Sequence, residues 1–211
     1  MMHEEIFTDE QCKLLPLVKH FSKNFSLIGG TAIALQIGHR LSVDFDLFTE
    51  GDFDNGSIAD QITAFAPIEK VQTDQAGQYT LYINGVQFTF MKYRFKISYD
   101  RAVRDIIKMP DLVTLGAMKL HALGRRAKWK DYVDLYFIIK NYHSVPELMA
   151  QARKLFGGEV NEVDMRSQLK FFHFMDYSDK VVYMPGFETT VKMIQEMLTS
   201  ASQQEERGFI L

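Results

Sequence analysis

Asp44 and Asp46 stand two residues apart in an otherwise apolar run, SVDFDLF, and the triplet Gly29-Gly30-Thr31 precedes them. In a strand, residues i and i+2 face the same side, so the two carboxylates project together while Val43, Phe45 and Leu47 point the other way and anchor the strand in a core. Neighbouring carboxylates repel and raise each other's pKa unless a cation lies between them. Mg²⁺ or Mn²⁺ accepts such hard oxygen ligands and completes its shell with water and substrate phosphates. Gly29 and Gly30 let backbone amides approach a ligand closely, the following helix aims its N-terminus at the same place, and Thr31 adds a hydroxyl donor. A phosphate site at a helix start beside a metal on the adjacent strand suits phosphoryl or nucleotidyl transfer.

Neither half is specific alone. A second D-x-D, Asp52-Phe53-Asp54, sits in the polar stretch GDFDNGS with no glycine loop ahead of it, and reads as a solvated turn. It also misses the calcium-loop pattern, because its glycine is out of register and no glutamate closes the loop.

The elements that must position these groups follow from periodicity and punctuation. Thr8 with Gln11 fits a capping box, opening a helix that runs to about Lys23 with Pro16 inside it. Phe25 to Ile28 reads as a short buried strand, Thr31 to Ile37 as a helix ended by Gly38, and Leu41 to Phe48 as a strand. A helix is expected near Ile58 to Phe65. Asn84-Gly85 is the preferred two-residue type I′ turn, and the β-rich segments of QYTLYINGVQFTFMKYRF flank it as a hairpin. After Pro110 the spacing turns helical, with Asp111 able to cap, and the tail SASQQEERG is expected to fray. A boundary therefore falls near 108/109: strands with helices before it, a helical region after it.

GGTAIALQIGHRLSVDFDLF resembles the signature of the nucleotidyltransferase superfamily related to DNA polymerase β, G-[GS] followed by D-x-D. More narrowly, the chain is similar to the AbiEii/AbiGii toxin family of nucleotidyltransferases, in which a hairpin like NGVQFTFMKY and a helical segment like KLHALGRRAKWKDYVDLYFI follow in that order. The resemblance runs over residues 25–140. It implies an α+β fold, a small mixed sheet with flanking helices, followed by a helical region closing the nucleotide cleft. It also implies metal-dependent transfer of a nucleoside monophosphate from an NTP to an acceptor. Such proteins act as toxins in toxin–antitoxin or phage-defence pairs, opposed by a separately encoded antitoxin or regulator. RNA, tRNA included, is the first acceptor class to test.

The resemblance further implies that Lys119 and a later aspartate belong to the site, with Asp131 the first choice and Asp134 the second. Lys119 would neutralise nucleotide phosphate as a compact charge. The expected nucleotide-binding set is then Gly29, Gly30, Thr31, Arg40, Ser42, Lys119 and Arg126, with Asp44 and Asp46 as catalytic metal ligands. On an ideal helix Lys119, Arg126 and Lys130 share a face, which reads equally as a solvated charged stripe opposite Leu120, Leu123, Val133 and Leu135. On one continuous helix, however, Lys119 and Asp131 lie about 18 Å apart. They meet only if the helix breaks, so one helix should end near Gly124 to Arg126 and another begin near Lys128 to Lys130. Arg126 and Lys130, with Lys128 and Trp129, would then offer cations and a ring to a nucleic-acid strand, or Trp129 simply packs.

One departure stands out. Polymerase-β-like enzymes usually carry a third carboxylate on a later strand, and VQFTFMKYRFKISY holds no acid before Asp100; Thr89 or Met91 occupies the corresponding place. One metal ion is the safer expectation than two. Two other readings stay open: a nucleotide-binding module of the same fold without catalysis, and an interaction protein in which Asp44 and Asp46 are salt-bridged to Arg40 or Lys119.

Bulk properties set the frame. The chain has 211 residues, 46% hydrophobic and 24% charged, with a formal net charge of −3, so no global basic field attracts nucleic acid. A single cysteine, Cys12, permits no internal disulfide, and the acidic start MMHEEIFTDEQ lacks the features of a signal peptide, so a cytoplasmic, non-membrane protein is expected. The six histidines show no zinc spacing.

Overall fold

A computed structural model describes residues 2–123, 126, 128–173 and 175–204. The chain divides into two compact units, Met1–Asp111 and Leu112–Leu211. The first holds a mixed sheet with helices and the second is helical, the α+β class that the pattern predicts.

In the first unit α1 (Asp9–Phe21) opens on the expected capping box, Thr8 and Gln11 satisfying each other's backbone N–H groups. A short strand, β1 (Ser26–Ile28), runs into α2 (Gly29–Ile37), which Gly38 ends in the left-handed conformation at φ 76°. Next come β2 (Phe45–Thr49) and α3 (Asn55–Thr63), then β3 (Lys70–Gln75), β4 (Gln78–Ile83) and β5 (Val86–Lys92). The five strands form one sheet in the order β1-β2-β5-β4-β3. Only β2 and β5 pair in parallel; the other neighbours are antiparallel. Asn84 and Gly85, with φ of 49° and 71°, make the predicted turn between β4 and β5. Asp54 caps α3 by accepting from the Ser57 N–H at 2.7 Å. Its partner Asp52 pairs with Lys92 at 2.5 Å.

The sheet has one closed face. Phe45, Leu47, Leu81, Phe88 and Phe90 are fully buried on it, with Phe21 of α1 edge-on to Phe90 at 4.9 Å. Burying each of these side chains contributes on the order of 1.5–3 kcal/mol, which fixes the register and thereby the side on which Asp46 emerges.

Two expectations about β2 need correction. The strand begins at Phe45, not Leu41, because side chains take the carbonyls just before it: Thr31 Oγ1 donates to the Asp44 carbonyl and Arg40 Nη1 to that of Leu41 at 2.9 Å. Val43 accordingly lies outside the ladder and is 51% exposed, so it anchors nothing. The sequence pattern also misses β3, a mostly polar, exposed edge strand without apolar alternation, and a small hairpin of β6 (Arg101–Val103) and β7 (Ile107–Met109).

The second unit contains α4 (Leu112–Leu123), α5 (Trp129–Asn141), α6 (Val145–Phe156), α7 (Glu162–Leu169) and α8 (Val191–Ala201). Leu120, Leu123, Val133 and Leu135 are all buried, as the helical spacing predicts. The break between α4 and α5 falls where expected; Gly124, Arg125 and Ala127 lie outside the described residues. The start of the tail is held rather than frayed, with Ala201 and Ser202 buried, and its continuation past Gln204 lies outside the described residues. Among the described residues no helix is long and apolar enough to cross a membrane.

The division of labour along β2 predicts a sharp contrast. Phe45→Ala should lower unfolding free energy by about 3–5 kcal/mol, and Val43→Ala should change it by no more than about 0.5 kcal/mol, read by urea denaturation.

Candidate functional site

The first cluster is built where β1 turns into α2. Gly29 sits at φ +73°, a conformation that side chains resist, and a Cβ built on it would collide with Oδ2 of Asp46 and lie 3.0 Å from its Cγ. The Asp46 carboxylate thus rests directly against the helix start. A Cβ on Gly30 would meet Arg40 Nη2 at 2.5 Å and Ser42 Oγ at 3.3 Å, so the guanidinium and hydroxyl pack against the second glycine. The N-cap residue Ile28 contributes no side chain to the first amides of α2. Those amides and the helix dipole favour an anion at this place.

Arg40, Ser42 and Thr31 are buried, the last two joined by a hydrogen bond of 2.9 Å. Thr31 was expected to offer its hydroxyl to phosphate; the structure instead directs it at the Asp44 carbonyl, so it holds the backbone beneath the first acid. Arg40 likewise supports Gly30 and the Leu41 carbonyl from within. Asp44 and Asp46 are half-buried and bracket the fully buried Phe45, Asp46 within β2 and Asp44 just before it. Thr89 of β5 stands opposite Asp46 in the parallel ladder and Met91 opposite Phe48, so neither position expected for a third acid carries one. Among the described residues no group of three His, Cys, Asp or Glu is placed to hold a metal ion. Asp44 and Asp46 carry the hard oxygen donors that Mg²⁺ accepts beside water and phosphate.

The second cluster lies within the helical unit. The break after α4 folds Lys119 back against α5, and its Nζ pairs with Asp131 Oδ1 and, at 3.0 Å, with Asp134 Oδ2. Lys119 is 6% exposed and both aspartates are fully buried. Arg126, half exposed, donates its Nε to Asp131 Oδ2 at 3.0 Å. Sequence reasoning placed Lys119 and Asp131 together; it did not anticipate that the ammonium would be enclosed by two carboxylates. Because the helix is broken, Lys119, Arg126 and Lys130 do not form the stripe of one continuous helix: Arg126 joins Lys119 at Asp131, whereas Lys130 turns elsewhere together with Lys128. Lys128 and Lys130 converge on Asp179, at 3.1 and 2.9 Å. Burial pushes the Asp179 carboxyl up, but hydrogen bonds from Lys130 and Lys128 outweigh it and hold it below the usual carboxylate range. No signal marked Asp179 in advance, because its partners are distant in sequence. Trp129 packs, 6% exposed, against Tyr132 and Tyr177. Tyr132 donates its hydroxyl toward the Gln168 and Phe171 carbonyls, both at 3.0 Å, tying α5 to the end of α7.

Comparison with known proteins adds an independent line. The family model described as nucleotidyl transferase AbiEii toxin, type IV toxin–antitoxin system, matches residues 17–177. An uncharacterized protein of Aquifex aeolicus is 31% identical over 195 residues, covering 88% of this chain and 84% of its own. Among solved structures, the nucleotidyltransferase toxin MenT4 of Mycobacterium tuberculosis superposes with a TM-score of 0.62 at 13% identity, over 92% of this chain and 80% of that one. JHP933 of Helicobacter pylori gives 0.59 at 16%, over 96% and 92%. At these identities the structures speak for the fold.

Two outcomes test the helical cluster. Lys119→Met leaves two buried carboxylates short of a counter-charge and should cost about 3–5 kcal/mol of stability in urea denaturation. Burial first, and then the nearby Asp131 charge, raises the Tyr132 hydroxyl to about 12. A folded-state pKa above the unfolded value of about 10 means this contribution is complete below pH ~10 and is lost as pH climbs toward ~12. Melting temperatures followed over that window should fall less steeply for Tyr132→Phe than for the unaltered protein.

Proposed function

We propose that this chain, which belongs to the AbiEii nucleotidyl transferase toxin family, transfers a nucleoside monophosphate from an NTP to an acceptor hydroxyl at the Gly29–Asp46 site. The observation that carries this reading is the seating of the Asp46 carboxylate on Gly29. It sets an acid beside the start of a helix whose N-cap side chain bonds none of its amides, a juxtaposition that suits a triphosphate with its cation.

The amides at Gly29 to Thr31 would bind phosphate oxygens, the dipole of α2 adding to the attraction. Thr31 and Arg40 would keep the Asp44 backbone and Gly30 from shifting as the ligand enters. Asp44 and Asp46 would hold one Mg²⁺, which when bound would neutralise charge on the α-phosphate and the departing pyrophosphate. The acceptor oxygen forms its bond to the α-phosphorus as the bond between the α- and β-phosphates breaks, in line. Lys119, Asp131 and Asp134 enter as positioning residues within the helical unit: their buried pairing orders the junction of α4 and α5 and so fixes Arg126 there. RNA is the acceptor class we propose, and the family's toxin–antitoxin character supports an antitoxin that opposes the activity.

Purified protein incubated with α-labelled NTPs, Mg²⁺ and total RNA should transfer label to RNA. Asp44→Asn/Asp46→Asn should reduce transfer by about 100-fold or more, and EDTA should abolish it. Gly29→Ala should do nearly the same, because its Cβ would displace the Asp46 carboxylate. Transfer unchanged in the double variant would remove this site from consideration. The threonine opposite Asp46 favours a second reading, nucleotide binding without catalysis. Mg²⁺-dependent NTP binding with no transfer to any RNA would select it.

A further inference from the structure

Asp46 lies between two unlike flanks. In the sheet order β1-β2-β5 its strand has β1 on one side and β5 on the other. β1 runs straight into Gly29 and α2, so the anion-favouring helix start lies on the β1 flank. On the other flank the residue paired with Asp46 is Thr89. Phe88 and Phe90 are buried in the core with Phe45 and Leu47, so Thr89 projects on the side of Asp46, about 5 Å away across the ladder. Thr80 of β4 follows Thr89 in the same row. Thr89 is buried while Asp46 and Gln87 beside it are half-buried, so a ligand group that reaches its hydroxyl leaves water behind.

The Thr89 hydroxyl is held from behind. Gln87, two residues earlier on β5, projects on the same side, and its Nε2 donates to Thr89 Oγ1 at 3.4 Å. The amide has a set orientation, because Gln87 Oε1 accepts from the Tyr82 hydroxyl at 2.8 Å. A threonine hydroxyl has one proton to donate and two lone pairs. Among the described residues this side chain makes one hydrogen bond, as the acceptor from Gln87, which leaves its proton and a second lone pair for a ligand. Thr89, Thr80 and Gln87 bring no charge. Their chemistry fits a ligand hydroxyl, which also donates and accepts, better than a phosphate or a cation.

In-line displacement sets the attacking oxygen opposite the departing pyrophosphate. With phosphates on the α2 flank, the acceptor approaches over β5. We infer that Thr89, positioned by Gln87, binds the 2′-hydroxyl of the acceptor's terminal sugar, so that the site takes a ribose end over a deoxyribose end. The 2′-hydroxyl is the group by which a protein tells RNA from DNA. Its neighbour, the 3′-hydroxyl, is thereby carried beside Asp46. The 3′-oxygen joins the α-phosphorus, the bond between the α- and β-phosphates breaks, pyrophosphate leaves with the electron pair, and the hydroxyl proton passes to water. The inference rests on the reading of the Gly29–Asp46 site as a nucleotidyl transfer centre and adds what selects the acceptor there.

The test compares two fluorescein-labelled oligouridylates that differ only in the last sugar, one ribose and one 2′-deoxyribose. Binding is read by fluorescence anisotropy with Mg²⁺ and α,β-methylene NTPs present. The unaltered protein should bind the ribose end about tenfold more tightly. Thr89→Val, which keeps the shape and loses the hydroxyl, should bring that ratio within about twofold. Thr89→Ser should keep the preference, and Gln87→Leu should fall between. Affinity for the NTP analogues should be unchanged in all three variants, which also shows that they fold. Absent RNA binding, an unaltered protein indifferent to the last sugar, a preference that survives Thr89→Val, or a preference lost only together with NTP affinity overturns the inference. Label transfer to the same two oligonucleotides separates it from the reading beneath it. A Thr89-dependent preference in binding without any transfer would leave the sugar contact standing and the transfer reading fallen; equal transfer to both ends would do the opposite.

Discussion

A missing Cβ governs this molecule. At Gly29 the chain leaves β1 with a positive φ and enters α2 in the space that the Asp46 carboxylate also claims. Any other residue would both strain the turn and push the acid away. The contact unites two parts of the sequence that are otherwise independent, a helix start whose N-cap side chain bonds none of its amides and a strand with an acid. The core side of β2 makes the arrangement rigid. Phe45 and Leu47 are locked beneath the helices, so Asp46 cannot turn inward without pulling a large apolar side chain into water.

The buried ions of the helical unit obey a different balance. An ammonium as enclosed as Lys119 loses its hydration, a penalty of several kcal/mol that only close carboxylates offset. Asp131 and Asp134, one turn apart on α5, supply two negative charges, and Arg126 restores the balance on Asp131. Such a cluster adds little net stability over an apolar one of the same shape. It does demand one geometry, with α4 and α5 angled so that Lys119 meets both acids.

Much of the architecture was legible because its signals are local. The capping box at Thr8, the left-handed stop at Gly38 and the Asn84-Gly85 turn each depend on a few adjacent residues, and each is present. The break between α4 and α5 followed from length alone, since helical rise keeps Lys119 and Asp131 apart until the chain bends. What escaped was non-local or weakly patterned. The edge strand β3 is held by pairing with β4 rather than by apolar alternation. Val43 lies outside the ladder because Thr31, from the helix before it, captures the Asp44 carbonyl, while Arg40 takes that of its neighbour Leu41.

The sequence by itself determined the chemistry available: two acids with strand spacing, a glycine pair before a helix, and a lysine that needs a bend to find its aspartates. Those facts depend on residue type and the fixed periods of helix and strand. Only the tertiary structure decided which side chains serve the ligand side and which serve the protein. Thr31 and Arg40 turned inward because backbone carbonyls before β2 needed donors. Lys119 became enclosed because two carboxylates from α5 reached it first, and Lys128 and Lys130 found Asp179 from far along the chain. A buried polar group must be satisfied by whatever the fold brings near, and what the fold brings near is set by packing between distant segments, which no local pattern records.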